Sequence, residues 1–148
     1  MYVPIDLLNA ECFPERSKAG DAALDLRTSV NFSLAPGEST GLVGLGFRIR
    51  DLPLGVAAFI IPRSGLGTKG LVLANQVGLI DPSYRGEIKA KFIWDPDEEV
   101  TRNFEAKIGD RVAQMIFLPY LQVDTIATNS SFETESGRGN DGFGSSGV

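Results

Sequence analysis

The 148-residue chain contains no histidine and a single cysteine, Cys12. The missing imidazole removes Ser-His-Asp and Cys-His nucleophilic machinery, histidine acid/base chemistry and the usual structural zinc ligand sets. A lone cysteine cannot close an intrachain disulfide, so Cys12 reads as a small, inert, partly buried side chain. Chemistry is left to carboxylates, Lys, Arg, Tyr and hydroxyls, and any metal is a hard cation held by oxygen, with magnesium the natural candidate. No apolar run approaches the length of a membrane span. The segment "MYVPIDLLNAEC" has no basic region followed by an apolar one, so no secretion signal is read and a cytoplasmic address is expected. A net charge of −5 supplies no broad basic footprint for nucleic acid, so any phosphate recognition is local.

What is present reads as one all-β domain. Hydrophobic content of 43% and 22% charged residues suit a globular fold with a real core. Val30, Phe32 and Leu34 share one face of an extended run, "PG" at 36 and 37 turns the chain, and Leu45, Phe47 and Ile49 resume the alternation. Ile88, Ala90, Phe92 and Trp94 alternate with Lys89, Lys91 and Ile93. "VAAFIIP" and "RVAQMIFLP" suit strands buried on both sides, and no stretch carries a sustained helical stripe with caps. The pattern predicts a sandwich, jelly roll or barrel. From residue 128 the alternation and most apolar content disappear, which divides the chain into a core at 1–127 and a flexible C-terminal arm at 128–148.

Two apparent nucleotide motifs fail on context. "GFGSSG" matches G-x-G-x-x-G, but that fingerprint needs a strand before it and a helix after it, which the arm does not supply. "GLGTKG" imitates a P-loop, yet Gly70 stands where Ser or Thr is required. The default reading of such an arm is a solubility extension, but its residue choice weighs against that and suits a ligand. Arg138 can clamp phosphate, Phe143 can stack on a base, and Ser145 and Ser146 can donate to anionic oxygens, while glycines such as Gly144 let the backbone wrap closely.

Residues 62–88, "PRSGLGTKGLVLANQVGLIDPSYRGEI", combine Arg63, Ser64, Asn75, Asp81 and Tyr84. Each alone is accounted for by a turn or a surface ion pair; together they form a candidate pocket for a phosphorylated nucleoside. Five stretches carry a resemblance: "AGDAALDLRTS" (19–29), "PRSGLGTKG" (62–70), "NQVGLIDPSYRGEI" (75–88), "GDRVAQMIF" (109–117) and "RGNDGFGSSG" (138–147). In this order and spacing the chain resembles the trimeric deoxyuridine triphosphatases, the dUTPases.

The resemblance implies a jelly-roll β-barrel subunit, a homotrimer with active sites shared between subunits, Mg2+ dependence, and cleavage of dUTP to dUMP and pyrophosphate. It assigns Asp81 to the water that attacks the α-phosphorus and Tyr84 to the deoxyribose, where a 2′-hydroxyl has no room. Asn75 and backbone groups of 75–81, Gly78 among them, read the uracil edge. Ser64, Gly65 and Gln114 contact phosphates, Arg63 and Arg111 order the phosphate-side network, and Asp25 acts on the magnesium side through water. Arg138, Phe143, Gly144, Ser145 and Ser146 close over the nucleotide as a lid. For Asp25 and Arg111 a structural ion pair fits as well. Ala23, Asp141 and Ser146 depart from the usual residues at their positions, and none removes a group the mechanism needs. Two other readings share the scaffold: a deoxycytidine triphosphate deaminase, against which "IDPSYRGE" and the Arg/Phe arm weigh, and a noncatalytic regulatory trimer, against which all five stretches weigh.

Overall fold

A computed structural model describes residues 2–127 of the chain. Twelve short strands follow one another: β1 (Ile5–Leu7), β2 (Leu24–Arg27), β3 (Phe32–Leu34), β4 (Val43–Gly44), β5 (Phe47–Ile49), β6 (Val56–Ile61), β7 (Leu71–Leu73), β8 (Gly78–Ile80), β9 (Lys89–Ala90), β10 (Phe92–Trp94), β11 (Phe104–Ala106) and β12 (Arg111–Pro119). Among the described residues the helical content is a 3-10 turn at Ala10–Cys12 and one α-helical turn, α1 (Ser64–Gly67). The β-branched and aromatic residues that dominate the strands pack well on a pleated surface, and the glycines and prolines between them cannot continue it.

Every described strand pair is antiparallel. β2, β12, β6 and β8 form a four-stranded sheet in that order, and β1–β5, β3–β11, β4–β9 and β7–β10 pair two by two. Partners distant in sequence lie side by side, giving the all-β jelly roll. No helix among the described residues is long and apolar enough to cross a membrane.

The alternation marks the core closely. Leu34, Leu45, Phe47, Ile49, Ile88, Ala90, Phe92 and Trp94 are all buried, while Lys89 and Lys91 face out. Phe32 stacks on Phe92 with ring centroids 5.7 Å apart, and Trp94 donates its indole N–H to the Arg102 carbonyl at 3.1 Å. Val30 departs from its expected face. It is exposed because the Thr28 hydroxyl donates to its carbonyl at 2.6 Å, holding the chain in a bend before β3 begins. Cys12 is wholly buried rather than partly so, with its thiol donating to the Thr28 carbonyl, and burial pushes that thiol's pKa up.

The two apolar runs expected to be buried on both sides are β6 and β12, and one side of them is open. Ala58, Ile60, Ala113 and Met115 point into the core. On the opposite face, register aligns Gln114 with Ile61, Ile116 with Phe59 and Leu118 with Ala57, and Leu79 of β8 follows beside Phe59. Phe59, Ile61 and Ile116 are only half-buried there, and Leu79 and Leu118 are 56% and 43% exposed. Their composition is that of an interior face, but apart from the buried Ala57 the described chain leaves it largely uncovered.

Candidate active site

Asp25 of β2 is the most deeply buried carboxylate among the described residues, at 3% exposure. Sheet register places it opposite Gln114 of β12, which in turn faces Ile61 at the end of β6. Two residues further, Arg63 leads into α1. Ser17 donates to Asp25 Oδ2 at 2.8 Å and Gln114 Nε2 to Oδ1 at 3.1 Å. Arg111 Nη1 reaches Oδ2 at 3.1 Å, and Arg63 Nε lies 3.2 Å from Oδ1. Arg63 also donates to the Arg111 carbonyl at 2.9 Å, and Arg111 to Ser17 Oγ at 2.7 Å, so the cluster is cross-braced. Burial is the largest influence on Asp25 and opposes its charge. The bonds from Ser17 and Gln114, the charge of Arg63 and the bond from Arg111 together outweigh it and hold the carboxyl below its ordinary pKa.

This corner is cationic toward solvent. One buried carboxylate fixes two guanidinium groups whose side chains remain 26% and 42% exposed, leaving N–H edges for an anion. Ser64 and Gly65 open α1 beside them, both exposed, and a Cβ at Gly65 would meet nothing within 4 Å. Space for a ligand is therefore on the solvent side.

Asp81 and Tyr84 sit elsewhere. Asn75 lies in the turn joining β7 to β8, where Gln76 adopts a positive φ of 60°, and Gly78 opens β8. Asp81 follows β8 directly and continues its register to the Val56–Ala57 end of β6. It rims a shallow cavity of about 360 Å³ lined by Ala57, Phe59, Leu79, Pro82, Tyr120 and Gln122. Its backbone carbonyl accepts the Tyr84 N–H at 3.0 Å; among the described residues, no donor engages its carboxylate. The two aspartates thus differ: both oxygens of Asp25 are committed, whereas the Asp81 carboxylate faces solvent.

The described residues bring Asp25, Arg63, Ser64, Gly65, Arg111 and Gln114 to one end of the four-stranded sheet, towards which Asn75 and Gly78 also lie beside Ile60, and Asp81 and Tyr84 to the other end, past β8. They do not bring the two groups together. Ala57 and Arg63 are six residues apart, about 20 Å at a strand's rise per residue. Arg138, Phe143, Gly144, Ser145 and Ser146 lie outside the described residues. Sequence reasoning missed Ser17, which braces Asp25 against Arg111; a lone serine in "ERSKAG" carries no spacing signal.

Fold and site define a jelly-roll protein with a cationic corner and a free carboxylate on one open sheet face. Comparison with protein families matches the dUTPase model to residues 10–147. The deoxyuridine 5′-triphosphate nucleotidohydrolase of Gamma-proteobacterium EBAC31A08 is 44% identical over 138 residues, covering 91% of this chain and 94% of that protein. The protein of the same name from Legionella pneumophila (strain Paris) is 43% identical, covering 90% and 86%. Among solved structures, the dUTPase of Staphylococcus bacteriophage 80alpha with dUPNHPP matches over 99% of both chains with a TM-score of 0.83 and 25% identity. The chain belongs to the dUTPase family.

Proposed function

We propose that this chain hydrolyses dUTP to dUMP and pyrophosphate, limiting uracil in DNA and supplying dUMP for dTMP synthesis. Beyond family membership, the contrast between the two aspartates supports the reading most strongly. A general base needs a carboxylate free to take a proton, which describes Asp81 and not Asp25. Asp81 orients a water and accepts its proton as the oxygen attacks the α-phosphorus; the bond to the α,β-bridging oxygen breaks and pyrophosphate leaves. Asn75 and the backbone of 75–81, Gly78 included, complement the acceptor-donor-acceptor edge of uracil. Cytosine would leave buried polar groups mismatched at about 1–3 kcal/mol each. Tyr84 lies against the deoxyribose, and Ser64, Gly65 and Gln114 contact phosphates.

Asp25 acts in this reading chiefly by holding Arg63, Arg111 and Gln114 toward the phosphates. Mg2+ is the proposed cofactor. No three acidic, cysteine or histidine side chains cluster among the described residues. The ion would be bound mainly by substrate phosphates and retain waters, and Asp25, both of whose oxygens are committed, would act on that side through the groups it holds rather than by reaching a water itself. When bound, the ion neutralises triphosphate charge that would repel an incoming hydroxide. Arg138, Phe143, Gly144, Ser145 and Ser146 are proposed to close over the nucleotide as the lid of a mobile arm at 128–148, with 1–127 as the core.

A homotrimer with active sites shared between subunits is part of the same reading. The open apolar face, and Leu121, Val123 and Ile126 at 72–90% exposure, favour association of copies. A neighbour on that face could set its own cationic corner against Asp81. The decisive experiment incubates purified protein and Mg2+ with dUTP, dCTP, dTTP and UTP and identifies products. Pyrophosphate from dUTP alone is expected. Ammonia from dCTP would mean a deaminase, and no turnover a noncatalytic module.

A further inference from the structure

Tyr84 is 43% exposed, so core packing does not decide where its ring lies. Two local features do. Its hydroxyl donates to the Glu87 carbonyl at 2.9 Å, and the ring lies across Gly86 so closely that a Cβ there would sit 2.6 Å from Cζ and 3.1 Å from Cε2, in collision with the hydroxyl as well. Gly86 is not among the described glycines with positive φ. The backbone at 86 therefore does not demand glycine, and the three atoms nearest an added Cβ all belong to the Tyr84 side chain. The carbonyl that latches the hydroxyl belongs to an anchored residue: Glu87 Oε1 accepts the Gly46 N–H at 3.2 Å, and a Cβ at Gly44 would press on the same carboxylate.

We infer that Gly86 is a specificity-determining positioning residue: the bare backbone at 86 and the Glu87 carbonyl form the seat that fixes the Tyr84 ring, and so set discrimination against a 2′-hydroxyl. This rests on the reading of Tyr84 as the sugar contact. An added methyl at 86 meets the far end of a side chain, which swings away at little cost, so the fold survives while the ring leaves its seat.

The test compares kcat/KM for dUTP and UTP in the wild type, Gly86→Ala, Tyr84→Val and the double variant. Gly86→Ala is expected to raise the UTP/dUTP ratio about tenfold. It should add nothing in the Tyr84→Val background, because both act through one ring. In protein carrying labelled tyrosine and no nucleotide, the Tyr84 ring resonance should move in Gly86→Ala. If Tyr84→Val relaxes the ratio and Gly86→Ala does not, the seat is overturned and the sugar reading stands. If neither changes it, the sugar reading fails and the seat with it. Should Gly86→Ala not fold, Tyr84→Phe keeps the ring and removes the latch: a smaller rise supports the seat, and an unchanged ratio overturns it.

Discussion

At the scale of single residues, two aspartates of one chain illustrate how surroundings assign roles. Asp25 is depressed in pKa by its four partners, so the stability it confers is complete above the unfolded carboxylate's value of about 4 and is lost as pH falls through the lowered folded value. Asp25→Asn should cost about 2 kcal/mol or more at neutral pH, since it removes the charge from a buried ion cluster, and the deficit should shrink in strong acid. Denaturant melts of both proteins from pH 7 to pH 2 measure this; a deficit that does not change with pH would contradict it. Asp81→Asn should behave in the opposite way. Its carboxylate holds nothing in place, so stability and nucleotide binding persist while turnover drops by about a hundredfold or more. Isothermal titration beside steady-state kinetics separates the two, and binding lost in step with rate would make Asp81 structural.

Among elements, β6 and β12 carry the most information. Arginine or glutamate at Leu79, on the open face, should leave the jelly roll folded but shift it toward single chains, because the core uses the other side of the same strands. Sedimentation velocity with circular dichroism reads both; unfolding instead of dissociation would mean the face packs within one chain. The sequence revealed these strands through apolar runs, and it revealed β5 and β10 through period-two alternation of Phe47 and Ile49, and of Phe92 and Trp94. It was less informative where side-chain bonds override the pattern, as at Val30, whose carbonyl is held by Thr28. Candidate site residues were legible as types within motifs, yet their division between two ends of β6 was not. That division depends on which strands pair, and pairing leaves no mark in local spacing. Ser17 and Gly86 escaped for a similar reason, since each matters only through a partner's position.

The whole molecule follows from where β6 begins and ends. If Asp81 of one copy works with Ser64 and Arg63 of another, Asp81→Asn and Ser64→Ala, each deficient alone, should rescue one another when refolded together. Random assembly into threefold rings regenerates about a quarter of wild-type sites. Activity no higher than the mean of the two variants would place all the groups of a site within one chain. Tagged subunits recovered from the same trimer verify that the chains exchange.

If Asp81 and Arg63, about 20 Å apart along β6 and the two residues after it, complete their site only with a neighbouring copy, turnover depends on how many copies are present. On that reading, chains diluted below the concentration at which copies separate should keep their fold and their complete set of side chains while none has a finished site. Specific activity should fall on dilution with no change in circular dichroism and return on concentration, so that an enzyme divided in this way measures its own abundance before it acts.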